Sequence, residues 1–154
     1  MTADEYFDKI KAVQKRRASL ERAIKEEKNR IYDISGIDPS KENVSGGRMS
    51  DTSDKLIRQS ENLDVLYKKL SRVQSIIRNF EERIDGLLDD NGHKDFNTAS
   101  ILEDFFINNL TAEQYAAKAN NIRRESAYRI RRKAINRFGE FYRKELDSME
   151  EEIC

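Results

Sequence analysis

The sequence predicts an all-α protein in which a long antiparallel helical hairpin, or coiled coil, precedes a small helical domain. Apolar residues recur every three or four positions through residues 56–87, the pattern of a long helix with one buried stripe. Residues 97–142 show the same period in three shorter segments, of which the last is strongly basic. Charged residues make up 38% of the chain and Pro39 is the single proline, a composition typical of long solvent-exposed helices.

A first helix is predicted over residues 4–33 from the spacing of its apolar side chains. Written as heptads, its two seam positions hold Ala3, Ile10, Arg17, Ile24 and Ile31, and Tyr6, Val13, Leu20, Glu27 and Ile34. Arg17 and Glu27 interrupt the apolar pattern, so this half of the predicted coiled coil is imperfect.

Residues 34–50 are predicted to form a connecting loop, because Gly36, Pro39, Gly46 and Gly47 punctuate them. The glycine pair resembles a phosphate-binding loop only weakly. No GxxxxGK[ST] pattern occurs in the chain, which excludes a P-loop. A loop that wraps the end of the hairpin is therefore favoured over a ligand site.

The second helix is predicted from a cap at Ser50 or Ser53 to about residue 88. Its seam is Leu56, Gln59, Leu63, Leu66, Leu70, Val73, Ile77, Phe80, Ile84 and Leu87, in which only Gln59 is polar. Neither long helix can bury such a stripe alone. We therefore expect the two helices to fold back as an antiparallel hairpin over residues 1–90, and to pair again between subunits as a homo-oligomer.

Residues 89–96 are predicted to link this hairpin to three further helices, with Asn91-Gly92 as a turn. The three helices are expected over residues 98–108, 112–119 and 123 to beyond 138, with Thr111 as the N-cap of the second. Asn120-Asn121 would make the turn before the third helix. The side chains expected to face inward from that helix are Ala127, Ile130, Ala134 and Phe138. The pattern is that of a helix-turn-helix domain over residues 96–144.

Charge indicates a nucleic-acid role for the third of these helices. Residues 111–144 contain ten Lys/Arg and three Glu, a net charge of +7 in a chain whose total is zero. A solvated basic face is the alternative interpretation of such a run. A recognition helix needs this charge to neutralise phosphates, so we predict binding to double-stranded DNA. The predicted DNA-binding residues are Arg123, Arg124, Glu125, Tyr128, Arg129, Arg131, Arg132, Lys133 and Arg137.

The last ten residues, 145–154, form an acidic tail with five carboxylates. Two interpretations are open from the sequence. The tail is either a frayed, solvated end, or it folds over the basic surface and competes with DNA.

Nothing in the sequence indicates catalysis, a cofactor or a metal site. The one histidine, His93, and the one cysteine, Cys154, cannot form a Cys/His metal cluster or a Cys-His nucleophile. His93 lies in a polar turn, where a solvated side chain is expected. No GxSxG, HExxH or EF-hand pattern occurs, and no apolar run approaches the length of a membrane span. We expect a non-enzyme that needs no cofactor and does not contact a membrane.

Three stretches together resemble a known family. They are LEDFF at residues 102–106, LTAEQYA at 110–116, and AYRI at 127–130 followed by Ala134. They are similar to the acidic aromatic helix, the EQIA-like helix and the VYRI-like recognition helix of the fourth region of bacterial sigma factors. More specifically, the chain resembles the phage late-gene transcriptional activators of the RinA and ArpU type. Residues 37–51, ahead of a long helix, are also similar to the front half of such proteins.

The chain departs from the family pattern in three places. There is one extra residue at Asn120-Asn121, Arg123 replaces the usual Ser cap (Asn121 could cap instead), and Tyr115 occupies an aliphatic position. These differences affect the register of the DNA contacts and leave the helix-turn-helix prediction in place.

The resemblance implies a sequence-specific phage transcription regulator in the cytoplasm of the infected bacterial cell. It would act with host RNA polymerase to activate late packaging and morphogenesis genes. Two other classes stay open. One is a DNA-recognition subunit of a phage packaging machine, similar to a small terminase. The other is a structural coiled-coil protein whose basic patch binds protein or RNA.

Overall fold

The computed structural model describes the backbone of residues 1–35 and 46–154, and the side chains of residues 1–32 and 53–154. These residues form helices and turns without any named strand, so the all-α prediction is confirmed for them. The helices are α1 (Ala3–Ser35), α2 (Gly46–Asp85), α3 (Phe96–Leu102), α4 (Ala112–Lys118), α5 (Arg124–Phe141) and α6 (Leu146–Ile153). A π-helical segment, Glu103–Ile107, continues α3.

The first long helix ends later in the sequence, and the second begins earlier, than the sequence predicts. α1 continues to Ser35, and α2 begins at Gly46, before the expected caps at Ser50 or Ser53. The predicted loop over residues 34–50 is thus helical at both of its described ends, and residues 36–45 lie outside the described part of the chain. Glycine costs less at a helix end than in its interior, so a Gly-Gly pair can mark a helix start as well as a loop.

The chain divides into two compact units, residues 1–14 with 75–154, and residues 15–74. This division differs from the expected segments, which end the hairpin near residue 90. The first turns of α1 and the last turns of α2 belong with the C-terminal helices, because their aromatic side chains pack there. Sequence periodicity cannot reveal this, since the heptad pattern runs through both unit boundaries without a change.

In the unit of residues 15–74 the predicted seam positions are the least exposed ones. Leu20 and Ile24 of α1 are buried. Along α2 every position from residue 57 to 69 that lies outside the seam is exposed. The seam positions there are only half-buried: Leu56, Gln59, Leu63, Leu66 and Leu70. The predicted stripe is confirmed, and part of its apolar surface remains accessible in the single chain.

The polar residues of the seam are only partly satisfied. Glu27 pairs with Arg30 at 2.8 Å, yet its Oε2 atom is buried without a hydrogen-bond partner among the described residues. The Oε1 atom of Gln59 is in the same state. An unsatisfied buried acceptor costs on the order of 1–3 kcal/mol, so these two positions weaken the stripe. Lys28 lies 5.6 Å from the ring centre of Tyr67, which links α1 to α2 in this unit.

The core of the other unit is an aromatic cluster, which we define as Tyr6, Phe7, Phe80, Phe106 and Phe138. All five side chains are at most 1% exposed. The ring of Phe7 lies 5.6 Å from that of Phe80, 4.5 Å from that of Phe106 and 5.0 Å from that of Phe138. Tyr6 stacks on Phe138 at 5.6 Å. The cluster joins α1, α2, the π-helical segment and α5.

The turn after α2 forms where the sequence predicts it. Gly92 has a φ of 77°, a backbone conformation that glycine adopts without strain. The Asp89 carboxylate accepts the backbone N–H groups of Asn91 and His93, both at 2.9 Å. These bonds close a tight turn, so the segment is a short rigid connection. His93 itself is exposed, as expected.

The π-helical segment replaces the end of the helix predicted over residues 98–108. The N–H of Asn108 donates to the carbonyl of Glu103, five residues back, at 2.8 Å. A π-helical turn contains one more residue than an α-helical turn, so its side chains point in directions that differ from those of a regular α-helix. Three consecutive residues of the segment are buried: Asp104, Phe105 and Phe106. Gln14 of α1 donates from its side-chain amide to the Phe106 carbonyl. Tertiary contacts with α1 thus accompany this local departure from α-helical geometry.

Residues 145–154 are a packed helix, so neither interpretation of the acidic tail describes them. Leu146 and Met149 of α6 are 7% and 1% exposed. The α6 carboxylates pair with residues of α1 and α2, since Glu150 contacts Lys9 and Glu152 lies 2.6 Å from Arg83. Asp147 lies 2.8 Å from the Met1 amino group. Among the described residues, no ion pair joins α6 to α5.

We predict that Met149→Ala lowers the free energy of unfolding by about 2–5 kcal/mol, because it leaves a cavity in a fully buried site. Glu151→Ala is the control on the same helix, and we expect it to change stability by less than ~0.5 kcal/mol because Glu151 is exposed. Urea unfolding followed by circular dichroism measures both. Equal midpoints for the two variants would show that α6 does not pack against the unit.

Candidate nucleic-acid interface

Two asparagines make the turn between α4 and α5. Asn120 and Asn121 have φ angles of 63° and 59°, in the left-handed region that Asn tolerates better than most residues. The N–H of Ile122 then donates to the carbonyl of Ala116 at 3.1 Å, which closes the end of α4. The break predicted at this pair is confirmed.

The two helices that flank the turn start differently. Thr111 caps α4 as predicted, in a capping box where its hydroxyl accepts the Gln114 N–H and the Gln114 side chain accepts the Thr111 N–H. The N-cap of α5 is Arg123, whose side chain makes no capping hydrogen bond. Asn121 therefore does not cap α5. The first amides of α5 are left without a side-chain acceptor from the N-cap, and such amides favour an anionic group.

The buried face of α5 fixes which side chains can reach a partner. Ala127, Ala134 and Phe138 are at most 3% exposed and Ile130 is half-buried, so the predicted inward set is confirmed. Ile135 is also buried, although the sequence pattern does not place it in the inward set. Gly139 follows Ile135 by one helical turn, and a glycine inside a helix can indicate that another element packs closely against that side.

Gly139 marks a close approach of α1 to α5. A Cβ atom added at Gly139 would lie 2.8 Å from the Cβ of Ala3. The start of α1 therefore lies against this side of α5, which accounts for the burial of Ile135. Any side chain larger than glycine at this position would displace α1 from the helix.

Seven of the nine predicted DNA-binding residues are exposed. They are Arg123, Arg124, Glu125, Tyr128, Arg129, Arg132 and Lys133. Within the described part of the chain, the four basic residues of this set other than Arg124 make no side-chain hydrogen bond or ion pair: Arg123, Arg129, Arg132 and Lys133. No described carboxylate lies within ion-pair distance of these four side chains, so their positive charge is available to a partner.

Arg131 is a structural contact in spite of its charge. Its guanidinium lies 5.8 Å from the ring centre of Phe105 and 5.3 Å from that of Phe106. Both rings are buried in the π-helical segment. A cation held over two aromatic faces stabilises the fold, and its stem covers apolar surface.

Arg137 is the second candidate that the fold itself engages. It lies 3.1 Å from Asp90 and 3.5 Å from Asp95. Burial of the Asp95 carboxyl opposes its ionisation, but hydrogen bonds from Thr98 and the charge of Arg137 lower its pKa below the usual value. Arg137 thus ties α5 to the turn that follows α2 and to the start of α3, where Asp95 is the N-cap.

Arg124 is exposed but already paired. Its Nη1 atom lies 3.2 Å from Oε1 of Glu113 on α4, and its Nη2 atom donates to the Tyr128 hydroxyl at 3.2 Å. The hydrogen bond with Tyr128 and the charge of Glu113 raise the pKa of the Arg124 guanidinium. The side chain is therefore held between two helices, in contrast to its neighbour Arg123.

A cleft of about 500 Å³ brings five of the predicted residues together beside α5. It is lined by Asp4, Glu125, Tyr128, Arg129, Arg131, Arg132 and Ile135. The surface around α5 is therefore concave on the side where α1 begins. It carries more positive than negative charge, and a polyanion gains from such a lining.

Residues 1–32 and 53–154, whose side chains the structure describes, hold no cluster of three or more His, Cys, Asp or Glu side chains arranged for a metal ion. No helix of the described chain combines the length and the apolar character needed to cross a membrane.

We predict that Arg131→Ala lowers the free energy of unfolding by about 1–2 kcal/mol, through loss of its contacts with Phe105 and Phe106. Arg132→Ala removes the same charge at an exposed neighbouring position, and we expect a change within ~0.5 kcal/mol. Thermal and urea unfolding of the two variants provide the comparison. If both variants unfold at the same denaturant concentration, the ring contacts of Arg131 contribute nothing to stability.

Comparison with protein-family models, with curated proteins and with solved structures finds no match to this chain.

Proposed function

We propose that α4 and α5 act as a helix-turn-helix that binds double-stranded DNA, with α5 lying in the major groove. One observation carries this proposal above the others. Arg123 at the N-cap and Arg129, Arg132 and Lys133 on α5 are exposed and make no hydrogen bond or ion pair in the described chain. Phosphates neutralise such cations and release counterions, which supplies most of the affinity of a DNA-binding helix.

The start of α5 suits contact with base edges. In a helix-turn-helix the first residues of the recognition helix reach the bases, and those further along meet phosphates. Arg124 and Tyr128 occupy the first two turns of α5, whereas Arg132 and Lys133 lie beyond them. Arg124 and Tyr128 would therefore determine sequence preference, and Arg132 and Lys133 would contribute affinity for any DNA sequence.

The biological role that we propose is that of a sequence-specific phage transcription regulator. It would act in the cytoplasm of the infected bacterial cell and activate late packaging and morphogenesis genes together with host RNA polymerase. The basis is the resemblance of residues 102–134 to the fourth region of sigma factors, joined to an exposed basic helix.

We propose further that α1 and α2 form an antiparallel hairpin through which two or more copies associate. The contact of Tyr6, near the start of α1, with Phe80, near the end of α2, supports opposite directions for the two helices. The seam from Val73 onward is buried within one chain and cannot contact a second copy. We therefore place the association surface at the half-buried seam residues Leu56, Leu63, Leu66 and Leu70. Apolar stripes of this kind are usually covered by a partner.

The same stripe supports the second candidate, a DNA-recognition subunit of a phage packaging machine. Such subunits also join a helix-turn-helix to helical oligomerisation segments. A closed ring of many copies in solution would favour packaging, whereas a small oligomer that binds host RNA polymerase would favour activation.

We predict that Arg132→Ala weakens binding to all DNA sequences and lowers the slope of log affinity against log salt by about one, since one phosphate contact is lost. Arg137→Ala should leave that slope unchanged, because Arg137 is paired with Asp90 and Asp95. Fluorescence anisotropy on labelled duplex DNA at several salt concentrations gives both slopes.

Lys68→Ala, on the exposed side of α2, is the control for a change of charge alone. A slope that falls equally for Arg132→Ala and Lys68→Ala would show that binding follows net charge and not α5. A parent protein with no measurable affinity for duplex DNA would overturn the proposed function.

We predict that Leu70→Asp raises the dissociation constant of the oligomer by about tenfold or more, because a carboxylate would have to be buried in the seam. Asn62→Asp adds the same charge at an exposed position between seam residues and should leave assembly unchanged. Light scattering over a range of concentrations reports the mass, and circular dichroism reports folding. A parent protein that stays monomeric at micromolar concentrations contradicts the proposed association.

A further inference from the structure

Glu113 on α4 holds the guanidinium of Arg124 from one side while Tyr128 holds it from the other. The Glu113 carboxylate forms an ion pair with one terminal nitrogen at 3.2 Å, and the Tyr128 hydroxyl accepts a hydrogen bond from the other at 3.2 Å. The guanidinium carbon also lies 5.6 Å from the ring centre of Tyr128. Three contacts from two helices thus restrain a side chain that is 58% exposed.

Stability does not account for this arrangement. Glu113 is 66% exposed, and ion pairs between exposed side chains contribute little to folding, because water screens them. The first turn of α4 is a favourable place for any carboxylate, so the helix dipole explains an acid there but not its pairing with Arg124. The pairing has its effect on the conformation of the arginine.

A restrained arginine suits one ligand in particular. Arginine donates two parallel hydrogen bonds to the O6 and N7 atoms of guanine, and this contact needs a defined position of the guanidinium plane. An arginine that moves freely loses side-chain entropy when it makes the contact, whereas one already held loses less.

We infer that Glu113 is a positioning residue that holds Arg124 for a guanine in the major groove, and that Arg124 thereby sets a guanine preference at one position of the DNA site. The inference rests on the proposed function. Beyond that function, it names the base that is read and adds Glu113 of α4, which is not among the DNA-binding residues predicted from the sequence.

Glu113 affects the two kinds of binding in opposite directions. Its negative charge repels phosphates, so the substitution Glu113→Gln should strengthen binding to every duplex alike. The same substitution frees Arg124, so the preference for guanine over another base should fall. A purely electrostatic role for Glu113 would produce the first effect without the second.

The first experiment is a selection from a pool of randomised duplex DNA. The parent protein should enrich a sequence with a fixed guanine, and Arg124→Ala should lose that guanine from the enriched pool. Glu113→Gln should enrich a pool in which that guanine is less strongly preferred than with the parent protein. Arg124→Lys keeps a positive charge but cannot make the forked contact, so it should also lose the guanine.

The second experiment measures affinities for the selected duplex and for a duplex with that guanine pair replaced. The ratio of the two affinities should fall about tenfold for Arg124→Ala and severalfold for Glu113→Gln. In the Arg124→Ala background, Glu113→Gln should leave the ratio unchanged, because the residue it positions is already absent. Glu140→Gln removes an exposed acid near the other end of α5 and should not change the ratio in either background.

The outcomes separate this inference from the proposed function. If Glu113→Gln changes both affinities by one common factor, or if Arg124→Ala retains the preference for guanine, the positioning role is overturned while DNA binding stands. If the parent enriches no sequence and binds no duplex, the proposed function fails, and the inference fails with it. Unchanged unfolding midpoints for the variants show that the effects arise from the interface.

Discussion

The ring of Phe7 is the contact on which the unit of residues 1–14 and 75–154 depends. It touches Phe80 of α2, Phe106 of the π-helical segment and Phe138 of α5, with ring centres 4.5–5.6 Å apart. Each aromatic pair of this kind contributes about 0.5–1.5 kcal/mol beyond the area that it buries. One side chain near the start of the sequence therefore holds three elements in place, including the helix that we propose enters DNA.

The position of α5 is further fixed on three sides. Tyr6 stacks on Phe138, Ala3 lies against Gly139, and Arg137 pairs with the turn that follows α2. α6 then closes the unit, with Met149 in the core and carboxylates paired to α1 and α2. These contacts leave one side of α5 in solvent. The basic face follows from packing, since no other element of the described chain covers that side of α5.

The arginines of α5 do not all have the same role. Arg131 covers two buried rings, Arg137 pairs with two aspartates, and Arg124 is held by Glu113 and Tyr128. Counting charge along the sequence treats them alike, because a guanidinium has the same charge over a ring, in an ion pair or in water. Only the position of acidic and aromatic neighbours, many of them distant in sequence, separates the structural arginines from those that remain available to phosphates.

The sequence by itself determined that α1 to α5 form, together with the turn chemistry and the buried stripes. The capping box at Thr111, the break at Asn120-Asn121 and the turn at Gly92 are properties of a few adjacent residues, so they can be recognised without a structure. The heptad stripe of α2 and the inward set of α5 follow from periodicity, which is also local.

The tertiary structure decided what these elements pack against. The division into two units, the burial of Ile135, the π-helical turn beside Gln14 and the packing of α6 each depend on contacts between residues far apart in the chain. The composition of residues 145–154, with five acidic side chains, favours a solvated tail. In the structure Leu146 and Met149 are instead buried against the rest of their unit. Periodicity shows that a face is to be buried, and only the assembled fold shows which surface buries it.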